Sequence, residues 1–242
     1  MWDNSVNLII GRLQACDVSL NRLSFFWPTH DQAYSGDELK TNYLKSGHLS
    51  GTPTSGNAFA TSFLKKVMPQ PEKLVYIDLA LPHLALLYGK VSYIEKPIGL
   101  YRLHGGNIHD KGQEMMRKVS AACLIKNRIL EKTAKELGVQ INSCLSYNEW
   151  RTILYASILY PEEFSIFSPS ESVNPTECIK KGLTSLFYDP YINWKQKVLN
   201  LLIILVGALP RTLSKKIIQN YFPRKKTWIN AILQSKLYGR NI

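Results

Sequence analysis

The chain has 242 residues and 27.6 kDa, with 45% hydrophobic and 11% aromatic residues, enough for one large core or two small ones. That composition excludes wholesale disorder. The formal charge of +12 is uneven: no acidic residue follows Asp189, whereas Lys195, Lys197, Arg211, Lys215, Lys216 and five further basic residues do, so the first 189 residues are close to neutral. Four widely spaced cysteines (Cys16, Cys123, Cys144, Cys178) with no C-x-x-C pair exclude a zinc ribbon and a disulfide scaffold, and fit a reducing compartment. Met1 is followed by Trp2-Asp3-Asn4 rather than by basic residues and an apolar run, so no signal peptide is expected.

Taken in order, residues 2–14 place Val6, Ile9, Ile10 and Leu13 at helical spacing and predict an amphipathic helix. Residues 17–27 are richer in β-branched and aromatic side chains and predict a strand ended by Pro28. A polar loop follows over 29–38; its adjacent His30 and Asp31 lack the further ligands a metal pair needs, and read as a solvated loop. A short helix over 38–45, closed by Gly47, comes next.

The run GTPTSGNAFA (51–60) cannot build a core, yet it leaves backbone and hydroxyl groups open to a polar ligand; a plain connecting loop accounts for it equally well. Residues 57–60 read as a short strand entering a helix over 62–66. Residues 76–88 carry Ile77, Leu81, Leu84 and Leu87 on a helical period with Asp78 in the first turn. There a carboxylate either complements the helix dipole, for about 0.3–1 kcal/mol, or does chemistry. His83 on the same helix reads as structural. Residues 90–95 alternate as a strand, Pro97 interrupts, and extended chain resumes over 99–102. Then Arg102 and the His104-Gly105-Gly106-Asn107 hook bring a guanidinium, an imidazole and an amide close together in sequence.

These three pieces in this order, SGNAF, then an Asp-led helix ending in Gly, then YIEKPIGLYRLHGGN, resemble the second half of family 2 glycosyltransferases, over about residues 2–110. The nearest branch is the rhamnosyltransferase-like enzymes of cell-surface polysaccharide synthesis. The pattern YR-x-H-x-x-N stands here as Tyr101, Arg102, His104 and Asn107. The resemblance implies a GT-A-type core, a nucleotide-diphospho-sugar donor, and a glycan or lipid-linked acceptor. It implies inverting transfer with Asp78 as general base, although Ile77 stands where the family shows a first acid. Ser55, Gly56 and Asn57 would border donor and acceptor, while Arg102 or His104 would face the diphosphate and a divalent metal, Mg or Mn, with His104 as a metal contact. No D-x-D, the family's metal-holding motif, occurs in this sequence. The expectation is therefore the carboxyl-terminal, acceptor-side portion of a longer enzyme, inactive without its nucleotide-binding half. The alternative is a non-catalytic membrane-surface or partner-binding remnant.

From Gln113 the period becomes helical, with helices expected over 116–137 (ended by Gly138), 147–160 (Ser146 and Glu149 as a capping box, Pro161 as stop) and 176–187 after a Ser/Pro-rich link. The run VLNLLIILVGALP (198–210) is too short to span a bilayer and is bracketed by basic residues, which suits an interfacial helix on an anionic membrane or, equally, a buried helix. Trp228 and Tyr238 suit a headgroup level. Nucleic acid is not expected as a partner, since the basic residues alternate with apolar stretches and no nucleic-acid module surrounds them. The reading is thus an α/β chain, α+β within this stretch: a partial GT-A-like core over 1–110, a helical extension over 111–190, and a basic, apolar helical tail over 191–242 in peripheral membrane contact through 195–242. Its expected place is the cytoplasm, at the inner face of the membrane.

Overall fold

A computed structural model describes residues 5–28, 36–47, 49, 51–71, 74, 76–104, 112–141, 149–160, 175–188 and 193–221. The chain divides into two compact units, Met1–Gly105 with Leu124–Ser146, and Gly106–Cys123 with Tyr147–Ile242. The described residues form one mixed four-stranded sheet and eight α-helices, an α+β composition.

The first unit is built on β1 (Val6–Cys16), where a helix was expected. The spacing misled for a physical reason. Leu8 and Ile10 are buried, then the phase shifts so that Leu13 and Ala15 are buried, and the pairing register slips at Gly11 and Arg12. A period of two with one slip places apolar residues at the intervals of a helical stripe. Every long edge of β1 is then used. β4 (Lys90–Arg102) pairs with it in parallel from Val6 to Cys16. The opposite edge is shared, β3 (Asn57–Phe59) pairing at Leu8 to Ile10 and β2 (Arg22–Trp27) at Leu13 to Cys16, both antiparallel. Gly11 and Arg12 fall between the two short ladders.

The strand expected over 17–27 is shorter than read, because Asp17 closes a tight turn: its carboxylate accepts from the Ser19 and Asn21 backbone N–H groups and from the Asn21 amide. Those bonds, the Asn21 side chain first, hold the Asp17 carboxyl below its ordinary range. β4 runs unbroken in direction through Pro97, which is tolerated because among the described residues β4 pairs on one side only and the register skips residues there.

Helices α1 (Gly36–Ser46), α2 (Thr61–Val67) and α3 (Leu81–Tyr88) pack on the sheet, with Tyr43, Phe63, Leu84 and Leu86 joining Leu8 and Ile10 in the core. His83 is buried there, its Nδ1 3.1 Å from the Tyr43 hydroxyl. The helix expected over 76–88 begins later than read. Residues Ile77–Leu79 form a 3₁₀ turn and α3 starts at Leu81, with Pro82 in its first turn. Pro82 has no N–H to give to the carbonyl of Asp78 four residues back, so an α-helix cannot run through Asp78. Helix α4 (Gly112–Glu136) ends just before Gly138, whose φ of +65° is the left-handed conformation glycine adopts cheaply.

In the second unit α5 (Glu149–Leu159) is apolar nearly all round and is the central helix. Along it, Trp150 meets Gly182 of α6 (Pro175–Tyr188), Leu154 meets Gly207 of α7 (Trp194–Ala208), and the Ile158 carbonyl accepts from Arg211 Nε of α8 (Arg211–Tyr221) at 3.3 Å. The Thr152 carbonyl accepts from Ser120 Oγ on the first half of α4. The cap expected at Ser146, the 165–174 link, the His30–Asp31 loop and residues 222–242 with Trp228 and Tyr238 lie outside the described residues.

Burial pushes the Cys178 thiol of α6 from its ordinary 9.0 up to about 12, and desolvation likewise raises the Tyr155 phenol of α5 from 10.0 to about 12. Both groups ionise more readily in the unfolded chain, so the stability their neutral burial contributes is complete below about pH 9 and lost as pH rises from there toward 12. Thermal melts are expected to fall progressively above pH 9, and less steeply in Cys178→Ala. An unchanged slope in that variant would remove the thiol from the explanation.

Candidate functional site

The gap between β3 and β2 on the edge of β1 is where the polar residues of the first unit gather. Here the chain turns through a 3₁₀ segment, Thr54–Gly56, closed by the Gly56 N–H donating to the Pro53 carbonyl at 2.8 Å. Gly56 is buried because the turn lies directly on β1. A Cβ on it would stand 2.6 Å from the Thr52 side chain and 2.9 Å from the Gly11 carbonyl oxygen. Gly11 is equally confined from the other side, since a Cβ there would overlap the Ile98 side chain of β4. Two glycines thus let a loop, the central strand and the edge strand approach at one point.

Asp78 reaches the same turn from 24 residues further along the chain. The Thr54 hydroxyl donates to Asp78 Oδ2 at 2.7 Å. Because the 3₁₀ turn Ile77–Leu79 replaces the first turn of a helix, the carboxylate is half-buried beside Thr54 instead of standing at the amino end of α3. Ser55 is exposed at the apex of its turn, and Asn57 opens β3 opposite Ile10.

Beneath this surface lie polar atoms that lack partners among the described residues: the hydroxyl of buried Thr52, and both Oδ1 and Nδ2 of Asn57. A buried polar group left unmade costs about 1–3 kcal/mol, so this point of the fold carries a local cost. Arg12, in the gap itself, carries its guanidinium over the Phe26 ring, 4.6 Å from the centroid. Thr52 belongs to the run whose hydroxyls the sequence left open to a polar ligand, and it is buried instead. Arg12 is a contribution the sequence reading missed, and nothing in the spacing singled it out.

The structure therefore brings together Ser55, Gly56, Asn57 and Asp78. Arg102 and His104 stand elsewhere on the sheet. Arg102 pairs with Cys16, and the Leu103 N–H donates to the Cys16 carbonyl at 2.8 Å, whereas Asn57 pairs with Ile10. At about 3.3 Å per strand residue that is roughly 20 Å along β1. Both side chains are exposed, at the end of the sheet where Trp27 and Tyr101 meet edge to face with centroids 4.8 Å apart. Residues 105–107 of the hook lie outside the described residues.

Among the described residues no three His, Cys, Asp or Glu side chains gather as a metal would require. Asp78 is a single carboxylate with a hydroxyl partner, and His104 is remote from it. This donor set does not fit a divalent ion. What it can do is accept a proton: a carboxylate oriented by a hydroxyl donor through one oxygen retains lone pairs on the other, beside the exposed Ser55 hydroxyl. Compared with known protein families, with curated proteins and with solved structures, the chain matches none.

Proposed function

We propose that the chain serves inverting glycosyl transfer from a nucleotide-diphospho-sugar to a glycan or lipid-linked acceptor, on a GT-A-type core, at the cytoplasmic face of a membrane. The observation that carries this reading is the Thr54–Asp78 hydrogen bond, which ties the acid of the second piece resembling family 2 glycosyltransferases to the residue immediately before the first, SGNAF. Asp78 takes the proton of the acceptor hydroxyl as its oxygen attacks the anomeric carbon. The bond from that carbon to the diphosphate breaks on the opposite face, and its electron pair leaves with the nucleoside diphosphate, so configuration inverts. Thr54 holds the carboxylate in aim, while Ser55, exposed at the apex of the turn, supplies a hydroxyl to sugar or acceptor. Arg102 and His104, too far along β4 to touch the reacting carbon, meet a more distant part of donor or acceptor. No step is routed through a metal, since these residues do not fit one.

The test is release of nucleoside diphosphate from nucleotide-diphospho-sugars supplied with a membrane fraction bearing glycan and lipid-linked acceptors, with a D-x-D-bearing nucleotide-binding half added in trans, as the resemblance requires. Thr54→Val removes the orienting hydroxyl without changing shape and is expected to lower turnover about tenfold, the worth of one hydrogen bond to a charged group. Absence of both turnover and nucleotide-sugar binding would reject the reading. A second reading, a non-catalytic membrane-surface protein, draws on the exposed leucines of α7 and predicts that outcome.

A further inference from the structure

We infer that the outward face of α7, with its flanking lysines, is a docking surface for an anionic phospholipid bilayer, on which the helix lies in the plane of the headgroups. This deepens the membrane-side part of the function proposed above and stands apart from its sugar chemistry.

The helix is inverted relative to an ordinary surface helix. The side it buries carries Asn200, only 2% exposed and with Oδ1 lacking a partner among the described residues, together with Ile204. The opposite side carries Trp194, Val198, Leu201, Leu202 and Leu205. At 3.6 residues per turn these five fall within one sector of about 100°, the width of a core-facing stripe, yet Trp194 is 70% exposed and Leu202 and Leu205 are each more than half exposed. A soluble helix places such a stripe inward.

Charge identifies what covers it. Lys195 and Lys197 fall on the two margins of the stripe, with Lys195 Nζ 5.7 Å from the Trp194 ring centroid. Lys215 and Lys216 are exposed on the following helix, and no acidic residue occurs after Asp189. An apolar stripe edged by cations and free of carboxylates matches a bilayer interface: leucines in the acyl boundary, an indole at headgroup depth, ammonium groups on phosphates. The helix starts firmly at that surface through a reciprocal cap, Asn193 Oδ1 accepting from the Gln196 N–H and Gln196 Oε1 from the Asn193 N–H, both at 2.9 Å. Fifteen residues give about 22 Å of helix, and no described helix is long and apolar enough to cross a membrane, so the segment lies on the bilayer.

The experiment is co-sedimentation of the full chain with phosphatidylcholine vesicles, with and without phosphatidylglycerol, and with no sugar donor present, so that it reads docking independently of transfer. Wild type is expected to bind the anionic vesicles at least about tenfold more tightly than the neutral ones, and Leu202→Gln with Leu205→Gln to lose about tenfold or more. Lys195→Ser with Lys197→Ser should lose binding while leaving the apolar stripe intact. All four side chains are exposed, so these variants keep the fold. Binding that ignores phosphatidylglycerol, or leucine variants that bind as wild type does, would overturn the proposal. So would a wild-type dimer on sizing that the leucine variants convert to monomer, since a second copy would then own the face.

Discussion

Asp78→Asn is expected to lower sugar transfer by 100-fold or more with the fold unchanged, the range over which a positioned general base acts. The two halves of that expectation have separate causes. Asparagine is isosteric with aspartate, and its carboxamide oxygen still accepts the Thr54 hydroxyl that now reaches Asp78 Oδ2 at 2.7 Å. The 3₁₀ turn is closed by backbone bonds, Leu79 N–H to the Tyr76 carbonyl and Ala80 N–H to the Ile77 carbonyl, each 3.0 Å. The substitution touches neither, so the melting transition should stay within about 1 kcal/mol of wild type. A carboxamide cannot take a proton at neutral pH, so the loss should fall on kcat with KM little altered, as for a group that acts only in the transition state. Initial rates of nucleoside diphosphate release, measured beside a thermal melt, separate the possibilities. Full activity in the variant would remove Asp78 from the chemistry, whereas a matching collapse of the fold would make it structural.

How far the sequence carried toward this arrangement depended on which forces are local. Helix α1 with Gly47 behind it, the short strand at Asn57, and the long helix ending before Gly138 were all legible, because caps, turn residues and periodicity act within a few residues. β1 was not. Its apolar residues meet the intervals of a helix, and only the ladders contributed by β2, β3 and β4, brought in from as far away as Arg102, make it a strand. The entry to α3 was legible in principle, since Pro82 forbids the bond that would have made Asp78 helical, but the apolar period on either side masked it. Of the site, Ser55, Gly56, Asn57 and Asp78 were found together, while Arg102 and His104 were joined to them by sequence proximity and by the family resemblance. A strand moves away from its starting point at about 3.3 Å per residue, so nearness in sequence to a long strand's far end says little about nearness in space. In α7 the apolar run was evident, but which side faces outward was settled by the burial of Asn200 and Ile204, a tertiary choice.

Trp150→Ala is the substitution expected to cost the second unit most, about 3–5 kcal/mol, through the cavity left by an indole that nothing can refill. Trp150 is 1% exposed on the central helix α5, and its ring lies against Gly182 so closely that a Cβ there would come within 2.9–3.0 Å of the six-membered ring. Hydrogen bonding adds little to the loss, because the indole Nε1 is buried without a partner among the described residues. Trp150→Phe should therefore cost much less, about 1–2 kcal/mol, since it keeps most of the ring volume and relieves an unmet N–H. Urea unfolding followed by circular dichroism gives both values. Equal losses in the two variants would mean that a polar contact of the indole, not its volume, holds α5 to α6. The same pair bears on the bilayer face: α7 packs on α5 at Leu154, one helical turn from Trp150, so a loosened α5 should weaken vesicle binding in Trp150→Ala and leave it intact in Trp150→Phe.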